Sequence, residues 1–383
     1  MATINASILV LAWAAQRAHL VESELIQRFP KWERWIQGDS HPTLKQLEQF
    51  ARLTHTPIGY FFLPEPPELT LPVPDFRTVG STVVREPSSN LLDTIYLCQQ
   101  RQDWYQSYAR INRFDRLPFV GSVSVKDPPD EVAHAMRDRL GVSDEERRYL
   151  STWTDALRQL VKQAESVDVM VMTSSVVGSN SHRKLDVDEF RGFALSDDLT
   201  PLIFVNGSDS KSAQMFTLAH EMAHIWLGIS GVSDPSVERV PERETERWCN
   251  RVAAELLVPM ESMRNAYVSE NGVFQELQRL ARVFKVSTLV ILRRLFDAGF
   301  ISQETLNRVY REERERLRTL GERDGGGGDF YRSLGARVSP LFARAVLSST
   351  LEGQTLFQDA FRMLGVRKTA TLYEAARQFG VAG

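Results

Sequence analysis

The sequence predicts a mainly helical α+β protein in which a small mixed sheet interrupts a long series of helices. Apolar residues recur at three- and four-residue spacing over most of the chain. Strand character, rich in Val, Met and Phe, is confined to short runs between residues 167 and 205. Strong punctuation falls at a proline cluster after residue 63 and at a run of four glycines, 325–328.

The 383 residues exceed one average domain. An apolar fraction of 43% and a charged fraction of 25% are ordinary for a soluble globular protein. Lys plus Arg number 46 against 49 Asp plus Glu, which excludes an overall basic nucleic-acid coat but not a local patch. Two cysteines, Cys98 and Cys249, cannot build a disulfide framework and fit a reducing compartment. The longest early apolar run, residues 8–15, falls far short of the ~18 residues a membrane span needs. No Lys or Arg precedes that run, so no export signal is expected. The expectation is a cytoplasmic protein with no membrane partner.

Residues 1–63 read as short helices, with Ile8, Leu11, Ala12 and Ala15 on one face and Leu44, Leu47, Phe50, Ala51 and Leu53 on another. Residues 64–87 are a linker stiffened by Pro64, Pro66, Pro67, Pro72 and Pro74. Residues 88–275 form the α+β core. Its expected order is a long helix over 88–110, helices over 130–140 and 143–165, and strands over 167–177, 190–195 and 202–205. A turn at Asn206-Gly207 comes next, and then helices over 212–227 and 241–258. Residues 276–324 are a helical extension, 325–328 a glycine linker and 329–383 a C-terminal helical domain.

The helix over 212–227 carries His220-Glu221-Met222-Ala223-His224, an HExxH pattern. Phe216, Ala219, Ala223 and Leu227 continue an apolar stripe through it, and Ser210 or Ser212 can cap its start. On a helix, residues four apart stand one above the other, so His220 and His224 can share one Zn2+. Glu221 lies beside that face, where it reaches a metal-bound water rather than the metal. A third ligand is needed, and no histidine comes after His224, which leaves a carboxylate or Cys249. Leu227 and Ser230 stand where a metzincin needs Gly and His, which excludes that class.

The next helix supplies the candidate. Pro241 suits its first turn. Glu246 shares a face with Cys249, Asn250, Ala253, Leu256 and Leu257, while Glu244 and Glu255 fall on the opposite, solvated face. Glu242 also faces inward but lies in the first turn, where the helix dipole explains a carboxylate. A glutamate on an apolar face is costly to bury without a partner, so Glu246 is the expected ligand. Small Ala253 and Ala254 allow close helix approach, and Asn250 can hydrogen-bond a ligating imidazole. Cys249 also reads as a small buried hydrophobe. Imidazole ligation favours Zn2+, with Mn2+ or Fe2+ as alternatives.

The segment Phe216-Thr217-Leu218-Ala219-His220-Glu221-Met222-Ala223-His224, together with Glu246-Arg247-Trp248-Cys249-Asn250-Arg251-Val252-Ala253-Ala254-Glu255-Leu256-Leu257-Val258-Pro259, resembles the ImmA/IrrE metallopeptidases. The resemblance spans residues 186–302. It implies a gluzincin-like fold, Glu246 as third zinc ligand and a strand at the sheet edge ahead of the active-site helix. It further implies zinc-dependent endopeptidase action on a regulatory partner such as an Xre-type repressor or a neighbouring-gene product. Stress, mobile-element or toxin–antitoxin settings accompany that reading. Residues 202–205 are then expected to be the edge that pairs with substrate. His182, Tyr267 and Arg191 are candidates to stabilise an oxyanion, with no spacing to choose among them.

Two segments invite a nucleic-acid reading. Trp35-Ile36-Gln37-Gly38-Asp39-Ser40-His41-Pro42-Thr43 and the helix after it resemble the end of an Xre-type helix-turn-helix domain. Residues 25–35 are short for that motif and contain Pro30, and residues 1–70 carry six basic and seven acidic side chains. The domain is thus a DNA reader or a degenerate relative used for protein contacts. Residues 275–295 form a second helix-turn-helix pattern with five basic side chains and one acidic. Its candidates for DNA contact are Arg282, Lys285, Arg293 and Arg294; the competing reading is a bundle packed on the core with its arginines in water. The alternative function is therefore a DNA-binding regulator or an antitoxin that uses the peptidase fold as a platform.

Overall fold

A computed structural model describes residues 3–18, 20–76, 86–233, 243–320 and 330–381, with backbone alone for 318–320. The chain divides into two compact units. One takes the described residues between 1 and 72 and between 79 and 96; the other takes those between 73 and 78 and from 97 onward.

In the first unit, α1 (Ile8–Arg17), α2 (Glu22–Arg28), α3 (Trp32–Ile36) and α4 (Leu44–Thr54) lead to a 3-10 turn, Ile58–Phe62. Thr43 starts α4 with a reciprocal cap. Its hydroxyl accepts from the Gln46 amide, and its own amide donates to Gln46 Oε1 at 2.9 Å. The core is aromatic, with Phe29, Trp32, Trp35, Phe50 and Phe61 buried and Trp32 stacked on Phe50. Pro30 separates α2 from α3, which leaves helices of seven and five residues. Both tryptophans of α3 point into the core, so this five-residue helix spends its largest side chains on packing.

The second unit holds the sheet. After α5 (Ser89–Ile111), which begins in the first unit, come α6 (Pro129–Leu140), α7 (Asp144–Tyr149) and α8 (Trp153–Glu165). The single helix expected over 143–165 is two. Ser143 caps the first and Thr152 the second, each accepting the amide three residues on. Strands β1 (Met170–Ser174), β2 (Gly192–Leu195) and β3 (Leu202–Asn206) precede α9 (Lys211–Leu227), β4 (Gly231–Ser233) and α10 (Glu244–Leu257). The remaining helices are α11 (Met260–Ala266), α12 (Val273–Phe284), α13 (Thr288–Asp297), α14 (Gln303–Leu320), α15 (Phe330–Val338), α16 (Pro340–Leu351), α17 (Phe357–Leu364) and α18 (Thr369–Gln378).

The sheet order is β1-β3-β2-β4. β1 runs parallel to β3, while β2 pairs antiparallel with both β3 and β4. The expectation that residues 202–205 form the edge is therefore wrong. β3 is fully buried and hydrogen-bonded on both sides, as a continuous run of Leu, Ile, Phe and Val suits. The edge beside the histidine helix is β4, which sequence patterning does not signal.

Helix α9 packs against β2 and β3 on one side and α10 on the other, and α15 packs beside β1. Every α9 residue from Gln214 to Trp226 is buried, as a helix enclosed on all sides requires. Arg101 on α5 is buried and donates to the carbonyls of Met363 and Arg337, tying the C-terminal helices to this unit. Helix α10 starts at Glu244, with Arg243 at its cap position. Pro241, Glu242 and the four-glycine run lie outside the described residues. No described helix is long and apolar enough to cross a membrane.

Candidate metal centre

Two helices and two strands converge on one point inside this unit. Ser210 caps α9, accepting from the Ala213 amide, and Gly228 ends it in the left-handed conformation. Between these caps the helix is regular, so His220 and His224 project from one face. Their Nε2 atoms lie 3.1 Å apart. Across the interface with α10, Glu246 places Oε2 3.2 Å from His220 Nε2 and Oε1 3.0 Å from His224 Nε2. Ligands at ~2.0–2.1 Å around a tetrahedral ion stand about 3.3 Å apart, so the triangle is close to what one divalent cation needs.

Three further observations test the fit. His220 Nδ1 lies 2.9 Å from Asn250 Oδ1. An amide oxygen only accepts, so Nδ1 carries the proton and the Nε2 lone pair faces the triangle. His220, Glu221 and His224 are fully buried and Glu246 nearly so. Glu246 Oε1, His224 Nδ1 and both oxygens of Glu221 find no hydrogen-bond partner of good geometry among the described residues. Unsatisfied buried polar atoms are costly, and a cation between converging lone pairs relieves the cost at the triangle. Cys249 comes into the same space, since its sulfur and the two imidazoles offer ligand atoms within 4.8 Å of one another. Two ligand sets thus share the histidines, one closed by Glu246 and one by Cys249.

The electrostatics separate two carboxyl groups. Burial, and then the charge of Glu246, drives the Glu221 carboxyl well above its ordinary range, opposed only by the Ser233 hydroxyl. Burial alone would also raise Glu246, but the two imidazoles outweigh it and bring this group down to about 2. Burial lowers His224, and burial together with the charges of Glu246 and Glu221 pushes the Cys249 thiol up. The two neighbouring carboxyl groups are thus pushed in opposite directions, Glu221 up and Glu246 down, the split that lets neighbouring acids take different roles.

Three contributors leave no trace in the sequence pattern. Ser233, buried on β4, places its hydroxyl 3.3 Å from His224 Nε2. Gly192 on β2 leaves the space that Glu221 uses. A Cβ there would lie 3.3 Å from Glu221 Oε1 and 2.5 Å from Thr217 Cγ2. Phe76 stacks on the His224 ring, with centroids 5.4 Å apart and planes 14° from parallel.

The other candidates fare differently. His182 is exposed in a loop, and Tyr267 stacks on Phe300. Arg191 borders the site through its backbone, since its amide donates to the Ser233 carbonyl, but its guanidinium pairs with Asp209 at 2.5 Å. In the α12–α13 segment, Arg282 is exposed and Arg293 pairs with Asp297. Lys285 and Arg294 do not present a basic surface. Lys285, in the left-handed turn after α12, is buried with its ammonium over the Trp153 ring. Arg294 is buried, donating to the Val258 carbonyl at 2.7 Å and pairing with Glu255. Glu255, expected in solvent, instead holds Arg294 and accepts from the Met260 amide at 2.9 Å.

Set beside known proteins, residues 164–296 match a family model for peptidases described as the IrrE N-terminal-like domain. That span contains the whole sheet, α9, α10 and the helices up to α13, and so includes His220, Glu221, His224, Glu246 and Cys249. Residues 338–378 match a domain of unknown function, DUF8813. No curated protein matches the chain. The first match supports the ImmA/IrrE resemblance and a metal-dependent peptidase. It covers about a third of the chain and does not reach α1–α4.

Proposed function

We propose that the chain is a metal-dependent endopeptidase in which His220, His224 and Glu246 hold one divalent cation. The carrying observation is the buried triangle of two imidazole nitrogens and a carboxylate, with sides of 3.0, 3.1 and 3.2 Å. Glu246 is preferred to Cys249 because its two oxygens each face an Nε2 directly. Imidazole ligation favours Zn2+, with Mn2+ or Fe2+ as alternatives. Such a cation supplies Lewis acidity and acidifies water.

The chain's own residues do the rest. Asn250 fixes the His220 tautomer and ring orientation. Glu221, its proton affinity raised by burial, takes a proton from the attacking water at its carboxylate and returns it to the departing amine. The enclosure that buries all four groups excludes bulk water, which strengthens each electrostatic contact. An extended substrate lies along β4 by strand addition.

From the ImmA/IrrE resemblance, the substrate is a regulatory protein in the same cytoplasm, such as an Xre-type repressor or a neighbouring-gene product. Its cleavage then changes gene expression in a stress, mobile-element or toxin–antitoxin system. A DNA-binding regulator that uses the α12–α13 segment draws less support, because Lys285 and Arg294 are spent inside the protein.

Replacing Glu221 with Gln tests the catalytic reading. One metal per chain should remain bound, while hydrolysis of the neighbouring-gene product or of unfolded casein falls by roughly 10²–10⁴-fold. Wild-type hydrolysis by the variant would refute the role of Glu221.

A further inference from the structure

The edge strand beside the site is covered by another part of the chain. The Phe76 amide donates to the Val232 carbonyl at 2.8 Å, and the Val232 amide donates to the Pro74 carbonyl at 3.0 Å. Asp75 thus pairs in parallel with Val232, one residue from the Ser233 that touches His224. The Phe76 ring lies flat on His224, and the Arg243 guanidinium sits 5.2 Å from its centroid. Gly231 makes room for that ring. A Cβ there would stand 2.2 and 2.3 Å from its carbons and 3.1 Å from the Pro74 carbonyl. The segment lies outside residues 164–296, the part of the chain that the family model matches.

We propose that the β4 edge is a strand-binding groove for an extended polypeptide with an aromatic side chain seated on His224 and Gly231, and that residues 74–76 fill it as a displaceable strap. Binding in the groove stands by itself; only cleavage of the bound strand rests on the peptidase reading. The groove is specific because its floor is a glycine whose missing side chain matches a ring. Among the described residues the strap's backbone pairing with β4 is two hydrogen bonds, about 1 kcal/mol each, and Pro74, which has no N–H, cannot extend it backward, so the Phe76 ring supplies much of the hold. An incoming strand makes the same bonds and continues them. The strap then sets a threshold that only a peptide with a suitable aromatic residue overcomes.

The test uses the full chain and a fluorescein-labelled peptide with the sequence of residues 72–78, Pro-Val-Pro-Asp-Phe-Arg-Thr, read by fluorescence anisotropy. The Phe76→Ala chain should bind it at least ~10-fold more tightly than wild type, and a peptide with Ala for Phe should lose that gain. In the unmodified chain, saturating peptide should speed hydrogen exchange at the Phe76 amide, a readout that does not depend on the variant folding. Equal affinities in the two chains, equal binding of the two peptides, or an unchanged Phe76 amide under bound peptide would each overturn the strap. Hydrolysis measured alongside separates the two claims. Binding differences without hydrolysis in metal-supplied protein keep the strap and remove the peptidase. Hydrolysis without binding differences does the reverse.

Discussion

Gly192 should be intolerant of even one methyl group, and the effect should reach catalysis. An alanine Cβ at this position would sit 2.5 Å from Thr217 Cγ2 and 2.9 Å from the Phe204 carbonyl oxygen. Carbon atoms pack at ~3.5–4.0 Å, so the overlap with Thr217 is about 1 Å. The carbonyl belongs to β3, hydrogen-bonded on both sides, and cannot give. The Thr217 overlap is relieved by moving α9 away from β2, and the Phe204 contact by a shift of β2 against β3. Thr217 lies one turn before Glu221 on that helix, so the carboxylate moves with it. Overpacking of this kind costs about 1–3 kcal/mol. A catalytic group displaced by ~1 Å can cost ~100-fold in rate. Urea unfolding and hydrolysis of unfolded casein by Gly192→Ala, compared with wild type, read the two effects. Unchanged stability together with unchanged hydrolysis would refute the claim that β2 sets the position of Glu221.

Asn250→Ala should weaken metal affinity by about 10–100-fold through loss of the tautomer lock on His220, measured by competition with a chromophoric chelator. Glu165, at the end of α8, accepts from the Ser339 hydroxyl at 2.6 Å. Burial raises it to about 7, with that hydrogen bond and Arg344 opposing. Because the folded value lies above the unfolded one, the stability this carboxyl contributes is complete below about pH 4.5 and is lost as pH rises through about 7. The urea midpoint of wild type should therefore fall between pH 5 and 8 by more than that of Glu165→Gln; equal slopes would contradict the burial argument.

Which parts of the fold and site are legible in the sequence depends on which interactions are periodic. His220, His224, Glu246 and Asn250 are readable because helical spacing alone puts each pair on one face, and an inward acid on α10 needs a partner. The contacts made by β4 are not readable. Three residues in a Gly-Ile-Ser-Gly-Val-Ser stretch carry no alternation, and the pairing with β2 joins positions some forty residues apart in the chain. With β4 hidden, the apolar run of β3 passes for an edge, although such a run is the mark of a central strand. Gly192 and Gly231 matter for what they leave empty, which becomes visible only when Thr217 or Phe76 is in place. A charge count misplaces Lys285 and Arg294 because it carries no direction: one covers an indole and the other finds Glu255.

The most direct test of the central claim is metal stoichiometry, by elemental analysis after Zn2+ loading and dialysis, for wild type, Glu246→Gln and Cys249→Ala. Wild type and Cys249→Ala should each retain about one ion per chain, while Glu246→Gln should retain far less. Retention by Glu246→Gln with loss from Cys249→Ala would move the third ligand to the thiol, and no retention by wild type would remove the metal centre altogether.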